Sequence, residues 1–183
     1  MAGGDGLERE LKFGDADLSA LVERLQELGA ERVAASSLED NLIFDRDGAL
    51  RGEDKLLRLR SDRNGARLTF KGPTTFEETT KVRLERETEI ADAEAAREIL
   101  EQLGYNASRR YQKMREEWHL GGVTVSLDHT PIGDYVEFEG RGAEKVASRC
   151  GYDPADAERR TYLRLYEDYL KDHPDAPPEM VFP

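Results

Sequence analysis

The sequence predicts an α+β domain, an eight-stranded antiparallel β-barrel forming a tunnel with helices packed outside. Three observations lead there. Seven stretches alternate apolar and charged or polar residues with the period of two that a strand imposes, and an eighth, Leu38–Phe44, reads as extended. Two helical stretches, Asp17–Leu28 and Ala93–Leu103, show apolar residues at helical spacing; Asp17 and Asp92 can cap their starts, and Gly29 and Gly104 can close their ends. The first strand and helix also recur. Strand 7–13 with a helix ending Leu-Gln-Glu-Leu-Gly29 is echoed by strand 81–90 with a helix ending Leu-Glu-Gln-Leu-Gly104, and three more strands follow in each half.

Along the chain, Leu7–Phe13 places Glu8, Glu10 and Lys12 on one face and Leu7, Leu11 and Phe13 on the other, with Arg9 the exception. An extended segment Leu38–Phe44 leads into a loop at 45–48. In Lys55–Arg60, Arg58 and Arg60 oppose Leu57 and Leu59. Asn64-Gly65 signals a hairpin turn, and Leu68–Lys71 sets Thr69 and Lys71 opposite Leu68 and Phe70. Residues 73–80 read as a polar loop. Lys81–Ile90 carries Arg83, Glu85, Glu87 and Glu89 in one register; Arg110–Trp118 does the same with Lys113, Arg115 and Glu117. Val123–Asp128 opposes Asp128 to Val123, Val125 and Leu127, and Tyr135–Glu139 opposes Glu137 and Glu139 to Val136 and Phe138. Helices are expected near Ala143–Cys150 and Ala155–Lys171, the second with a stripe of Tyr162, Leu163, Tyr166, Tyr169 and Leu170. The expected organisation is a flexible lead over 1–6, a tunnel domain over 7–171 and a proline-rich, irregular tail over 172–183 draped on the domain.

Composition narrows the partners. The 183 residues carry a net charge of −12, which argues against nucleic acid bound through its phosphates. No apolar run is long enough to span a bilayer as a helix. Cys150 is the single cysteine, so no internal disulfide can form, and a reducing, cytoplasmic setting fits. His119, His129 and His173 form no ligand-spaced motif; any metal is expected to be hard and held by carboxylates. A small-molecule partner and a monomeric or homodimeric protein are expected.

A charged strand face can simply be solvated, or can form an internal salt-bridge lattice. Here, however, repeated Glu-x-Glu pairs, an Arg-x-Arg and a Lys-x-Arg share the faces opposite the apolar ones on separate strands. Helices outside a barrel would bury the apolar face and leave Glu8, Glu10, Glu85, Glu87, Asp128, Glu137 and Glu139 inside with Lys12, Arg58, Arg60, Lys71, Arg83, Lys113 and Arg115. Such an interior is costly to leave dry and unpaired. Guanidinium and ammonium groups suit phosphate oxygens, and carboxylates suit divalent cations. Phosphoryl chemistry uses both.

In these residues the chain resembles the CYTH superfamily, the triphosphate tunnel metalloenzymes. The likeness rests on Glu8-Arg9-Glu10-Leu11-Lys12, Leu57-Arg58-Leu59-Arg60, Lys71-Gly72-Pro73, Arg83 to Glu87, Lys113 to Arg115 and Glu137 to Glu139, in consistent order. It implies two Mg²⁺ or Mn²⁺ sites, with Glu8, Glu10, Glu137 and Glu139 as main ligands and Glu85, Glu87 and Asp128 in support. It also implies that Lys12, Arg58, Arg60, Lys71, Arg83, Lys113 and Arg115 hold a triphosphate or nucleotide. Asn41 stands where some family triphosphatases have a tyrosine, and Arg159 and Arg160 stand near where some have a lysine. The segment 41–45 looks like the branch that handles organic triphosphates.

The function expected from this resemblance is metal-dependent hydrolysis of a triphosphate, with Lys12 as the catalytic candidate. The alternative is a class IV-type adenylate cyclase forming cyclic AMP and pyrophosphate. A second alternative is a non-catalytic polyphosphate- or nucleotide-binding module.

Overall fold

The computed structural model describes residues 6–183; apart from Gly6, the expected lead lies outside the described residues. Eight strands, β1 (Leu7–Phe13), β2 (Glu31–Asp45), β3 (Leu56–Asp62), β4 (Gly65–Glu77), β5 (Thr80–Ile90), β6 (Asn106–Leu120), β7 (Val123–Thr130) and β8 (Gly133–Glu139), close into an antiparallel barrel in the order β1-β5-β4-β3-β2-β6-β7-β8. Helices α1 (Leu18–Glu27), α2 (Ala49–Gly52), α3 (Ala93–Gln102), α4 (Ala143–Arg149) and α5 (Tyr162–Asp172) complete it, with a 3₁₀ turn at Pro154–Asp156.

The internal echo in the sequence has a topological counterpart. Exchanging β1 with β5, β2 with β6, β3 with β7 and β4 with β8 reproduces the same circular strand order. The registers agree: Glu8 stands opposite Arg83, and Glu85 takes Gly6 as its backbone partner, its N–H donating to the Gly6 carbonyl at 3.0 Å.

Three apolar clusters account for the charged interior. Leu11, Phe13, Val123, Val125, Leu127, Val136 and Phe138, on the outer faces of β1, β7 and β8, pack against Leu21 and Leu25 of α1 and Val146 and Ala147 of α4. Phe44 and Leu59, with Leu42, Leu57 and Leu68, pack against Leu100 of α3. Since alternate strand residues point oppositely, covering these outer faces turns the charged sets inward. The third cluster closes one end: Ile43, Tyr111, Tyr135, Tyr162, Leu165, Tyr166 and Met180. The tail takes part, because Gln112 donates its backbone N–H to Met180 and the Tyr166 hydroxyl donates to the Pro177 and Glu179 carbonyls.

Three elements differ from expectation. β2 begins at Glu31, not near Leu38; register shifts against β6 between Arg32 and Ala34 and between Ala34 and Ser37 break the alternation that would have revealed it. β4 continues through the expected loop to Glu77, since Pro73 sits in a register shift between Lys71 and Thr74, where a missing N–H is tolerated. The last helix begins at Tyr162, where the Thr161 hydroxyl accepts from the Arg164 N–H. The chain before it runs along β1, with the Glu158 N–H donating to the Lys12 carbonyl at 2.7 Å.

Phe138 is fully buried between Phe13 and Tyr152 beneath α4. Phe138→Ala is expected to cost about 3–5 kcal/mol through lost burial and the residual cavity, read as a lower urea midpoint with an unchanged slope.

Candidate active site

The barrel encloses a cavity of about 900 Å³. Of the fourteen charged residues assigned to the interior from sequence, thirteen line it: Glu8, Glu10 and Lys12 from β1, Arg58 and Arg60 from β3, Lys71 from β4, Arg83, Glu85 and Glu87 from β5, Lys113 and Arg115 from β6, and Glu137 and Glu139 from β8. Strand order segregates much of the charge. The acids come from neighbouring strands β8, β1 and β5, while β4, β3 and β6 supply bases from the rest of the wall.

Asp128 is the exception. It lies behind the lining, fully buried, and receives Lys113 Nζ at 2.9 Å, Arg115 Nε at 2.6 Å and the Tyr162 hydroxyl at 2.6 Å. Its oxygens are committed to orienting cations, which leaves little capacity for a metal. Arg83 is similarly occupied. Its guanidinium donates to the Gly72 carbonyl through Nε at 2.9 Å and to the Asp54 carbonyl at 3.2 Å, pinning the β4 register shift just beyond Lys71.

The remaining bases reach across to acids. Lys71 donates to Glu8 at 2.5 Å and lies 3.1 Å from Glu85. Arg60 bridges Glu39 and Glu87, each at 3.3 Å. Arg58 donates to the Tyr111 hydroxyl oxygen at 3.3 Å and to Thr69 at 3.4 Å. Burial opposes the charge on Lys12, but Glu137 at 3.4 Å and Glu10 at 3.9 Å hold its pKa above the ordinary lysine value. It therefore remains an ammonium.

Glu137 and Glu139 separate sharply. Burial favours the neutral form of both. Around Glu137 the ammoniums of Lys113 and Lys12 and the Arg115 guanidinium outweigh that, and its pKa falls well below the carboxylate range. Glu139 stands opposite Glu10 on β1, and burial together with Glu8 and Glu10 pushes it up to about 7. Glu8, Glu10 and Glu139 thus come from neighbouring strands, and among the described residues Glu8 Oε2 is buried without a hydrogen-bond partner. A hard divalent cation fits this donor set chemically. No three His, Cys, Asp or Glu side chains among the described residues converge into a ready-made coordination sphere; the carboxylates are turned to the lysines and arginines instead.

With this geometry in view, comparison with known proteins is decisive. The model of the CYTH domain matches residues 6–162. The chain belongs to the CYTH family. It is 30% identical over 134 residues to a Methanocaldococcus jannaschii protein provisionally named an adenylate cyclase, covering 73% of this chain and 76% of that one. It is 28% identical to the adenylate cyclase CyaB of Aeromonas hydrophila, covering 89% and 90%. Among solved structures, a conserved hypothetical protein from Pyrococcus furiosus superposes with a TM-score of 0.73 at 29% identity, covering 86% of this chain and 99% of that one. CYTH enzymes are triphosphatases or class IV adenylate cyclases and generally depend on divalent metal; this chain is an enzyme of that set. Among the described residues, no helix is long and apolar enough to cross a membrane.

This CYTH tunnel also contains residues that the sequence reading did not assign. Glu39 on β2 is buried beside Arg60 and Lys113; its alternation with Asn41 and Ile43 was available, but the segment lacks a charged repeat. Tyr111 is in phase with Lys113, Arg115 and Glu117 on β6, but it carries no charge and so was not counted with them. Tyr162 was read as part of an apolar stripe. Instead its ring lies 3.9 Å from Lys12 Nζ, and burial with the nearby Asp128 carboxylate raises its hydroxyl pKa well above normal, so it stays a donor. Asn41 is fully buried and donates to the Tyr111 carbonyl at 3.4 Å. Arg160 points to Glu158 and Asp168, and Arg159 lies over Phe76, so neither guanidinium lines the tunnel.

Glu39 gives a pH signature. Burial would raise its pKa, but Lys113, Arg115, Arg60 and Arg58 lower it to about 2. A depressed carboxylate pKa contributes stability that is complete above the unfolded value of about 4.5 and is lost as pH falls toward 2. Glu39→Gln is expected to be less stable than the parent at pH 7 by roughly 3 kcal/mol. That gap should shrink steadily in urea titrations between pH 4.5 and 2. A gap that stays constant with pH would show that the ionised carboxylate is not the source.

Proposed function

We propose that this CYTH enzyme hydrolyses a triphosphate in a divalent-metal-dependent reaction and recognises its substrate chiefly through the phosphate chain. The cavity lining carries this reading. Of its 27 residues, 18 are Asp, Glu, Lys or Arg, and the two tyrosines among them have their hydroxyls engaged with Arg58 and Asp128. A nucleoside base would favour an uncommitted aromatic or apolar platform. The lining offers mainly charge.

In this reading Arg58, Arg60, Lys71, Lys113 and Arg115 hold the phosphate oxygens, and Arg83 fixes the backbone that aims Lys71. Glu8, Glu10 and Glu139 would hold Mg²⁺ or Mn²⁺ in two sites, supported by Glu85, Glu87 and Glu137. When bound, the metal would offset phosphate charge and make water a better nucleophile. Lys12, kept charged by Glu137 and Glu10, would stabilise charge developing on the attacked phosphoryl group. Water forms the new P–O bond, the anhydride bond breaks, and orthophosphate and diphosphate leave.

The adenylate cyclase names of the two relatives favour a second reading, in which a ribose 3′-hydroxyl attacks the α-phosphate and pyrophosphate leaves. Product analysis separates the two. The protein is incubated with inorganic triphosphate, thiamine triphosphate or ATP, each with Mg²⁺ or Mn²⁺. Orthophosphate release without cyclic AMP is expected; cyclic AMP and pyrophosphate formed faster than orthophosphate would overturn hydrolysis.

Turnover should vanish in excess EDTA and return with either cation. Glu10→Gln, which keeps shape and removes charge, should lower kcat by about tenfold or more with the fold intact by circular dichroism. Arg60→Ala should weaken triphosphate affinity by about 1.5–3 kcal/mol, measured by calorimetry. Unchanged kinetics and affinity in both variants would exclude these side chains from the site.

A further inference from the structure

Helix α5 reaches the cavity through Tyr162 and Leu163, and Tyr162 touches two lysines of the lining and the Asp128 carboxylate behind it. Tyr162 is the first residue of the helix and is 6% exposed. Its hydroxyl donates to Asp128 at 2.6 Å, and Asp128 Oδ2 also receives Lys113 at 2.9 Å and Arg115 Nη2 at 2.5 Å. Its ring faces Lys12 Nζ at 3.9 Å and Lys113 Nζ at 5.1 Å from the centroid. Tyr135 meets that ring edge-on from β8, with centroids 5.2 Å apart.

Resting on the triphosphatase reading, we propose that Tyr162 is a positioning residue that aims Lys12 through its ring and Lys113 and Arg115 through Asp128. The two contacts differ in their nearest targets: the ring lies against Lys12, the hydroxyl acts on Arg115 through Asp128, and Lys113 meets both. A buried carboxylate shared by two cations has several competing orientations, and a third donor selects one. An aromatic face beneath an ammonium restrains it without neutralising it. The hydroxyl therefore governs cations that hold phosphate, and the ring governs the lysine assigned to the reacting phosphoryl group. Two substitutions address them separately: Tyr162→Phe removes the hydroxyl and keeps the ring, and Tyr162→Leu removes both.

Tyr166 supplies the structural control. It lies one turn along α5, and its hydroxyl ties the helix to the tail through the Pro177 and Glu179 carbonyls without reaching the cavity lining. Tyr166→Phe should lower Tm and leave binding and turnover at parent levels.

The experiment measures three quantities on the full chain: Tm, calorimetric Kd for inorganic triphosphate in EDTA, and kcat with Mg²⁺. Tyr162→Phe is expected to raise Kd about fivefold, the weight of one net hydrogen bond, with kcat within about twofold of the parent. Tyr162→Leu is expected to raise Kd at least as much and also to lower kcat by about tenfold, with the Phe variant retaining the ring-dependent part. The proposal is overturned if both variants match the parent in Kd and kcat. It is equally overturned if Tyr162→Phe and Tyr166→Phe lose Tm, Kd and kcat in the same proportions, since the role would then be structural. If the parent binds triphosphate in EDTA yet hydrolyses none with Mg²⁺ or Mn²⁺, the hydrolase reading alone falls, and the Kd comparison still decides the positioning role.

Discussion

Charge enclosed by a closed sheet must be matched or hydrated, and that constraint governs the interior of this barrel. A buried ion without a partner costs several kcal/mol, so the cations and carboxylates cannot be placed independently. The strand order resolves much of the conflict by setting acids on β8, β1 and β5 within reach of bases on the remaining wall. Lys71 to Glu8 and Glu85, Arg60 to Glu87, and Arg115 to Glu137 are the outcome, and Glu39 on β2 and Asp128 on β7 add partners for Arg60 and Arg115 from behind. Under the proposed function each is also a contact that an incoming phosphate or cation would replace. A lattice that is internally matched but, among the described residues, not fully hydrogen-bonded, as Glu8 Oε2 and the Nε atoms of Arg58 and Arg60 show, is compatible with exchange for the ligand of the proposed function.

The twofold relation of the two halves shows where that matching breaks. If Glu8 is equivalent to Glu85, then Lys12 corresponds to Glu89 and Glu137 to Arg67, because Lys12 pairs with Glu137 as Glu89 pairs with Arg67. The polarity of this cross-strand pair is therefore reversed between halves, and both are ion pairs, at 3.4 and 3.9 Å. One step along, Glu87 faces Thr69, whose hydroxyl donates to it at 2.8 Å. The equivalent position on β8 is Glu139, facing Glu10. A hydroxyl donor in one half is thus a second carboxylate in the other. The second carboxylate adds to the effect of burial and of Glu8, which together raise the Glu139 pKa.

The barrel was legible because the charged faces repeat with period two on separate strands, and thirteen inward side chains could be named from that pattern alone. What escaped has specific causes. The register shifts at residues 32–37 hid half of β2, and Pro73 suggested a loop where β4 merely bulges. Alternation shows which way a side chain points, not how deep it lies, so Asp128 was placed among the ligands when it stands behind Lys113 and Arg115. Tyr162 was the least legible. It sits 150 residues from Lys12 in sequence, and an aromatic residue opening an amphipathic helix looks the same whether it packs on a core or plugs a tunnel.

The overall charge of the chain and that of its cavity have opposite signs. The protein carries −12, yet ten bases and eight acids line the cavity. Glu139, whose pKa is pushed up to about 7 by burial and Glu8, is partly protonated at neutral pH and shifts the balance further toward positive. An extended polyanion approaching from solvent meets the acidic exterior first, and that repulsion is screened beyond roughly 8 Å at physiological salt. A compact anion already partnered by a divalent cation carries less charge across that exterior. Under the proposed function it would then enter an enclosure where each arginine and lysine contact is worth more than in bulk water. Under the proposed function metal and phosphate would also be complementary inside: a cation would be held by Glu8, Glu10 and Glu139, and the phosphates would take Lys71 and Arg60 from their carboxylate partners. On this account, loading both together costs less than loading either alone, because each occupies the groups that the other leaves unmatched.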